Sequence, residues 1–212
     1  MVQLLNKNIQ LGDTINELYR IFDLFNKKFF DNKLEYPIII IQSKRKNTLG
    51  TCSVNRVWKN KETENKNEKY EITLSAEHLH RPIEELCGTL LHEMIHLYCS
   101  LNNIKDTSNN HVYHNKNFKA EAEKRGLIIE YAQSIGWSVT TLQPNTKDLI
   151  KTFEIKEDLF LYYRQSFSVI KKLRIKYSEL SKEEKIEYLK DKQVSLETKL
   201  DKISEKLQTL EQ

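Results

Sequence analysis

The chain has 212 residues, 39% hydrophobic and 30% charged, with a formal net charge of +4; no run of about 18 apolar residues exists, so no membrane span is expected. The mild positive excess tolerates an anionic partner without demonstrating one. Three cysteines, Cys52, Cys87 and Cys99, are an odd number without a CxxC pair, which argues against a disulfide framework or a cysteine zinc ribbon and suits reduced thiols filling a core.

The length suits one domain with an appendage, or two small domains. The opening Met-Val-Gln-Leu-Leu-Asn-Lys has no charged head, apolar stretch and small-residue cleavage site, so cytoplasmic residence is the expectation. From Asp13 to Phe30, Ile15, Leu18, Ile21, Phe22, Phe25 and Phe29 recur at steps of three and four, the stripe of an amphipathic helix that Asp13 or Thr14 can cap. That helix should stop near Asp31-Asn32, because Tyr36-Pro37 forces extended geometry. Ile38 to Ile41 is then a short β-branched strand.

Ser43 to Thr48, with Lys44, Arg45 and Lys46, reads as a basic turn. Leu49 to Trp58 alternates as a second strand, and Lys59 to Lys69 is a polar loop. Tyr70, Ile72 and Leu74 alternate with Glu71 and Thr73 in a third strand, antiparallel to the second across that loop. A short helical stretch runs from Ser75 to His80. Pro82 then fits the first position of a long helix, with Glu84 and Glu85 in its first turn. That helix should reach about Asn102, followed by an irregular loop over Asn103 to Asn110 and a helix from Asn117 to Lys124 that ends at Gly126.

Inside the long helix stands Leu91-His92-Glu93-Met94-Ile95-His96-Leu97-Tyr98. Residues four apart lie one turn above each other on a helix, so His92 and His96 can aim two imidazole nitrogens at one ion. This HExxH arrangement is the zincin signature: two nitrogen ligands leave room on a tetrahedral Zn²⁺ for a third ligand and a water that Glu93 can deprotonate. A core helix with two satisfied histidines is the bland alternative. It is disfavoured because Gly88 to Leu101 is apolar on most faces, where two histidines and a carboxylate are costly to bury without a shared task.

A third ligand is needed. Cys99 lies two turns beyond His92, roughly 10 Å along the axis and too far to share its tetrahedral centre. His111 and His114 both follow the loop that could fold back over the site. His114 stands at the entrance of the helix carrying Phe118, whereas His111 lies in less regular sequence.

Leu159 to Tyr177 is aromatic and basic, with Phe160, Tyr163, Phe167, Ile170 and Tyr177 near helical spacing. That pattern suits packing better than a base-stacking surface. From Ile186, the residues Leu189, Gln193, Leu196, Leu200, Ile203, Leu207 and Leu210 alternate steps of three and four, a four-heptad seam. With Ile186 at a, Lys192, Lys199 and Lys206 occupy g, and Glu197, Ser204 and Glu211 the following e positions. A parallel homodimer would make two of those three pairs opposite in sign. An antiparallel hairpin with the Leu159 to Tyr177 segment would also bury the seam, and the pattern leaves both open.

The ordered set resembles the SprT-like (Spartan-type) metalloproteases. It comprises a helix ending Asn26-Lys27-Lys28-Phe29-Phe30, Pro37 with its β-run, Leu49-Gly50, the strand into Leu74-Ser75, HExxH, His114-x-x-x-Phe118 and Gly126-Leu127. The resemblance spans about Asp13 to Ile129. It implies that His114 is the third zinc-binding histidine, although many members have Gly where this chain has Asn115. It also implies protein substrates, with DNA as a partner through its associated proteins. The four-cysteine ribbon and short partner-binding motifs of many relatives are not visible here.

The expectation is an α+β chain. A zincin-like catalytic domain over 1–150, with a small antiparallel three-stranded sheet packed on helices, precedes a helical C-terminal extension over 151–212 with a coiled coil at 186–210. Function is expected to be zinc-dependent peptide hydrolysis, with His92, His96 and His114 as metal ligands, Glu93 as general base, and Tyr98 or Tyr113 as possible assistants. The alternative is a zinc-stabilised, non-catalytic adaptor that recruits a partner through its coiled coil.

Overall fold

The computed structural model describes residues 9–44, 47–61, 67–109 and 112–165, together with 181–183, 185, 186, 189, 190, 192, 193, 196, 197 and 200. His111, Arg45, Lys46, Phe167, Ile170, Tyr177 and the seam from Ile203 onward lie outside the described residues. Contacts group the chain into two units, Met1–Arg164 and Gln165–Gln212. No helix among the described residues is long and apolar enough to cross a membrane.

The first unit is a mixed α+β fold. Helix α1, Leu11–Phe29, buries Leu18, Ile21, Phe22 and Phe25 completely, the face its periodicity specifies. Its cap is Gln10 rather than Asp13 or Thr14. The Asp13 carboxylate instead accepts the Gln10 N–H at 3.2 Å, and the buried Thr14 hydroxyl donates to the Leu159 carbonyl at 2.7 Å. After Phe30 the chain turns through Asp31 and Asn32, both at positive φ. Asn26 clamps the return by bonding both backbone groups of Leu34 at 3.1 Å.

Three short strands follow: β1 (Ile38–Gln42), β2 (Gly50–Cys52) and β3 (Glu71–Ser75), in the order β1-β3-β2. β2 and β3 are antiparallel, but β1 runs parallel to β3. The sheet is therefore mixed, a correction to the all-antiparallel expectation. The chain crosses from β1 to the far edge before returning along the middle, so first and third strands share a direction. β2 is shorter than the Leu49 to Trp58 alternation implies; Trp58 keeps only an isolated bridge to Lys69.

A 3-10 turn, Ala76–His78, leads to helix α2, Ile83–Leu101, with Pro82 as its N-cap, so the helix starts one residue later than expected. Its Leu86, Cys87, Leu90, Leu91, Met94, Ile95, Leu97 and Cys99 are buried, so it runs through the core. The three cysteines are free thiols, Cys52 half-buried and the others buried.

A second, four-stranded sheet was not anticipated. It has the order β4-β5-β7-β6, from β4 (Thr107–Ser108), β5 (Tyr113–His114), β6 (Leu127–Ala132) and β7 (Gly136–Leu142). Helix α3, Lys116–Glu123, sits between β5 and β6. Pro144 stands at the first turn of helix α4, Pro144–Lys151, where its missing N–H costs nothing.

The aromatic segment after it also departs from expectation. Glu157–Phe160 is a 3-10 turn that buries Phe160, and residues 161–165 are not helical. Tyr163 lies against the His80 ring at 4.0 Å, and the Arg164 N–H donates to Ala76.

Candidate metal centre

The helical spacing of His92 and His96 on α2 and the placement of His114 on β5 bring three imidazoles together. Their Nε2 atoms lie 3.2 Å apart for His92–His96 and His92–His114, and 2.9 Å apart for His96–His114. Glycine makes the β5 placement possible. Gly136, at φ +73°, pairs with His114, and a Cβ there would meet the His114 carbonyl at 2.3 Å.

Each ring is held by its other nitrogen. His96 Nδ1 lies 2.6 Å from Asp106 Oδ2, His92 Nδ1 2.9 Å from Thr140 Oγ1, and His114 Nδ1 2.7 Å from Ser138 Oγ. A hydroxyl has one hydrogen to give. Thr140 gives its to the Ser138 carbonyl and Ser138 its to the Ile135 carbonyl, so both hydroxyls accept from imidazole. Burial would raise the Asp106 carboxyl, but its hydrogen bonds, that with His96 first, outweigh it and lower its pKa; ionised, it too can only accept. All three rings thus carry hydrogen on Nδ1 and turn an Nε2 lone pair inward.

Three lone pairs this close repel unless a cation lies among them. Zinc ligands at Zn–N distances of about 2.0–2.1 Å on tetrahedral corners stand ~3.3–3.4 Å apart, within about half an ångström of the spacing here. The donor set therefore fits a divalent ion. Burial, and then the neighbouring rings, hold His92 well below the usual imidazole range, and burial above all lowers His114 to about 4. Both rings are then neutral near pH 7, as metal ligation requires. Phe118, fully buried, floors the cluster with its centroid 4.6 Å from each of the three rings.

Glu93 points from the same helix but is buried, 5% exposed. Burial pushes its carboxyl up to about 7, against the opposing effects of His96, Lys44 and the Cys52 backbone hydrogen bond. Gly50 presses on it: a Cβ there would stand 2.9 Å from Glu93 Oε1. Beside this group opens a cavity of about 540 Å³, lined by Gly50 to Asn55 of the β2 edge, the three histidines, Glu93, Tyr70 and Asp106.

A model of the SprT-like family matches residues 18–136, more than half of the chain. The chain belongs to the SprT-like family. A Salmonella typhimurium protein named "Uncharacterized protein in mucB 3'region" is 41% identical over 49 residues, 23% of this chain. The chain spans 65% of that relative's length. SprT-like membership and the histidine cluster are consistent with a metallopeptidase-type protein that holds a metal.

In this SprT-like chain Asn115 caps α3: its Oδ1 accepts from Asn117 and Phe118 at 2.8 and 3.2 Å. Its backbone N–H also donates to the Asp106 carbonyl at 2.9 Å, joining the His114 strand to the loop that holds His96. Neither tyrosine singled out from the sequence lines the cavity. Tyr98 packs under Arg125 at 3.7 Å, and the Tyr113 hydroxyl donates to Tyr131 at 3.0 Å. Tyr70 is the tyrosine placed there. Sequence reasoning missed Asp106, Ser138 and Thr140; a carboxylate or hydroxyl in polar or alternating sequence carries no local mark of its partner.

Proposed function

We propose that this chain is a zinc-dependent endopeptidase with a zincin-like catalytic unit, in which His92, His96 and His114 hold the ion and Glu93 is the general base. What supports this most is the convergence of three Nε2 lone pairs beside a buried carboxylate. When bound, the ion supplies Lewis acidity, polarising a peptide carbonyl and making water more acidic. A Glu93 carboxylate oxygen takes a proton from the water as its oxygen bonds to the carbonyl carbon. It then delivers that proton to the amine as the C–N bond breaks.

The β2 edge offers a place for an extended substrate. The Leu49 carbonyl and the Ser53 N–H pair with β3. By the alternation of an antiparallel ladder, Gly50 turns both backbone groups, and Cys52 its carbonyl, the other way, toward the cavity, where a peptide strand can add; the Cys52 N–H already serves Glu93. A purely structural metal site in an adaptor has no use for a carboxylate buried under Gly50, and this favours catalysis over the adaptor reading.

Kinship directs the choice of substrate toward DNA-associated proteins. The test is an autocleavage and substrate-cleavage assay with zinc, with and without DNA, comparing wild type with Glu93→Gln. Zinc-dependent cleavage by the wild type and none by the variant is expected. Equal rates in the two would overturn the role of Glu93.

A further inference from the structure

We propose that the part of the cavity beside the last turn of α2 is a subsite for a glutamine side chain of the substrate, read by the hydroxyls of Tyr70 and Ser100. The proposal deepens the hydrolytic reading and rests on it for the extended peptide that brings the side chain in. Tyr70 immediately precedes β3, is only 6% exposed, and lines the cavity. Its ring packs beneath the Arg56 guanidinium at 4.9 Å, and its carbonyl accepts from the Ile38 N–H. Among the described residues its hydroxyl has no hydrogen-bond partner. A phenol on a ring buried this deeply ordinarily finds one.

Ser100, half-buried in the last turn of α2, lines the same cavity. Its hydroxyl is also without a partner among the described residues, although a helical serine can bond the carbonyl one turn back. Two hydroxyls from different elements thus share one cavity wall with their hydrogen bonds unmade.

The surroundings select the chemistry of the side chain. Cys52, Val54, Cys99 and Ile104 line the cavity too. Burial raises both thiols, Cys99 to about 12, so they are uncharged near pH 7. The charged groups nearby are engaged or in water: Asp106 holds His96 at 2.6 Å, Arg56 holds Glu35 through two bonds at 3.1 Å, and Lys105 is exposed. A charged tip entering here would lose its water without gaining a counter-ion. An apolar tip would cover two hydroxyls and leave both unsatisfied. A primary amide brings an acceptor oxygen and an NH₂ donor, and a hydroxyl can answer either. The methylene stem of glutamine carries that amide past the apolar walls.

Ser100 stands two turns beyond Glu93 on α2, about 10 Å along the axis. An extended peptide covers that distance in about three residues. A strand added at Gly50 and Cys52 therefore presents to the subsite a residue two or three positions from the bond that is cut. Tyr70 and Ser100 choose among sequences without touching the reacting atoms.

The experiment uses decapeptides in an alanine–threonine frame, each carrying glutamine, or its near-isosteres methionine and glutamate, at one position in turn. Dissociation constants are measured with the full-length, zinc-loaded Glu93→Gln chain, so that binding is read without cleavage, and again with Tyr70→Phe or Ser100→Ala added. At one position glutamine should bind about tenfold or more tighter than both isosteres. Either added substitution should bring the ratio of glutamine to methionine to within about twofold of one, while bound zinc stays at one equivalent and reports that the fold is intact. Equal binding of the three side chains at every position, or a glutamine preference that survives either substitution, would overturn the subsite. Cleavage of the same peptides by the wild type tests the hydrolytic reading separately: a glutamine preference in binding with no cleavage would overturn that reading and uphold the subsite, and cleavage with no preference would do the reverse.

Discussion

Asp106 Oδ2 stands 2.6 Å from His96 Nδ1, joining the loop before β4 to the helix that carries His92 and His96. The contact fixes which His96 nitrogen holds hydrogen and turns the other toward its partners. Removing such a carboxylate typically weakens metal binding about 10–100-fold. Asp106→Ala should therefore lose zinc to a competing chelator at correspondingly lower chelator concentration than wild type. Unchanged affinity would show that Asp106 does not orient the ring.

Gly50 has no room for a side chain. A Cβ there meets Glu93 Oε1 and Thr89 Cγ2 at 2.9 Å and Glu93 Cγ at 3.0 Å. Gly50→Ala should thus displace the carboxylate and lower peptide hydrolysis while zinc content stays at the wild-type level. Loss of zinc together with activity would mean that the glycine supports the histidines instead.

Phe118 is fully buried against all three imidazoles. Phe118→Ala opens a cavity under the cluster and should destabilise the first unit by about 3–5 kcal/mol. Denaturant unfolding with zinc removed measures this. A cost below 1 kcal/mol would contradict the packing described for the ring.

Glu77 accepts hydrogen bonds from Ser43, the Lys44 backbone and Ser75, and pairs with Arg164 at 3.1 Å. Burial, which alone would raise its pKa, is outweighed by these bonds, and the carboxyl falls to about 2 from an ordinary 4.5. Because the folded value is the lower one, its stabilisation is present above pH 4.5 and disappears as pH falls toward 2. The amount is on the order of 2–3 kcal/mol. Wild type should exceed Glu77→Gln in stability at pH 7, and the gap should close between pH 4.5 and 2. A gap that stays constant across that range would show that ionisation of Glu77 is not its source.

The helices of the first unit were legible because periodicity is local: the Leu18, Ile21, Phe22 and Phe25 stripe and the apolar run around His92 name their own faces. The one-turn spacing of His92 and His96 was equally readable. Strand direction was not, since β1 runs parallel to β3 only because the chain crosses the sheet first, and no residue pattern in Ile38 to Ile41 records that. The β6–β7 hairpin was missed although Leu127 and Ile129 alternate with exposed Ile128 and Glu130. The aromatic spacing from Leu159 misled in the other direction. Phe160 serves the core of the first unit, so its spacing reflects burial there rather than a continuing helix. Ser138 and Thr140 acquire their role only when β7 passes beside β5 and α2, a relation between distant segments.

The most direct test of the metal centre is elemental analysis of the purified, untagged full chain, beside His92→Ala, His96→Ala and His114→Ala. About one equivalent of zinc per chain in the wild type, and loss of zinc in each variant that remains folded, is the predicted result. A wild-type chain that binds no stoichiometric transition metal even when zinc is supplied would contradict the account.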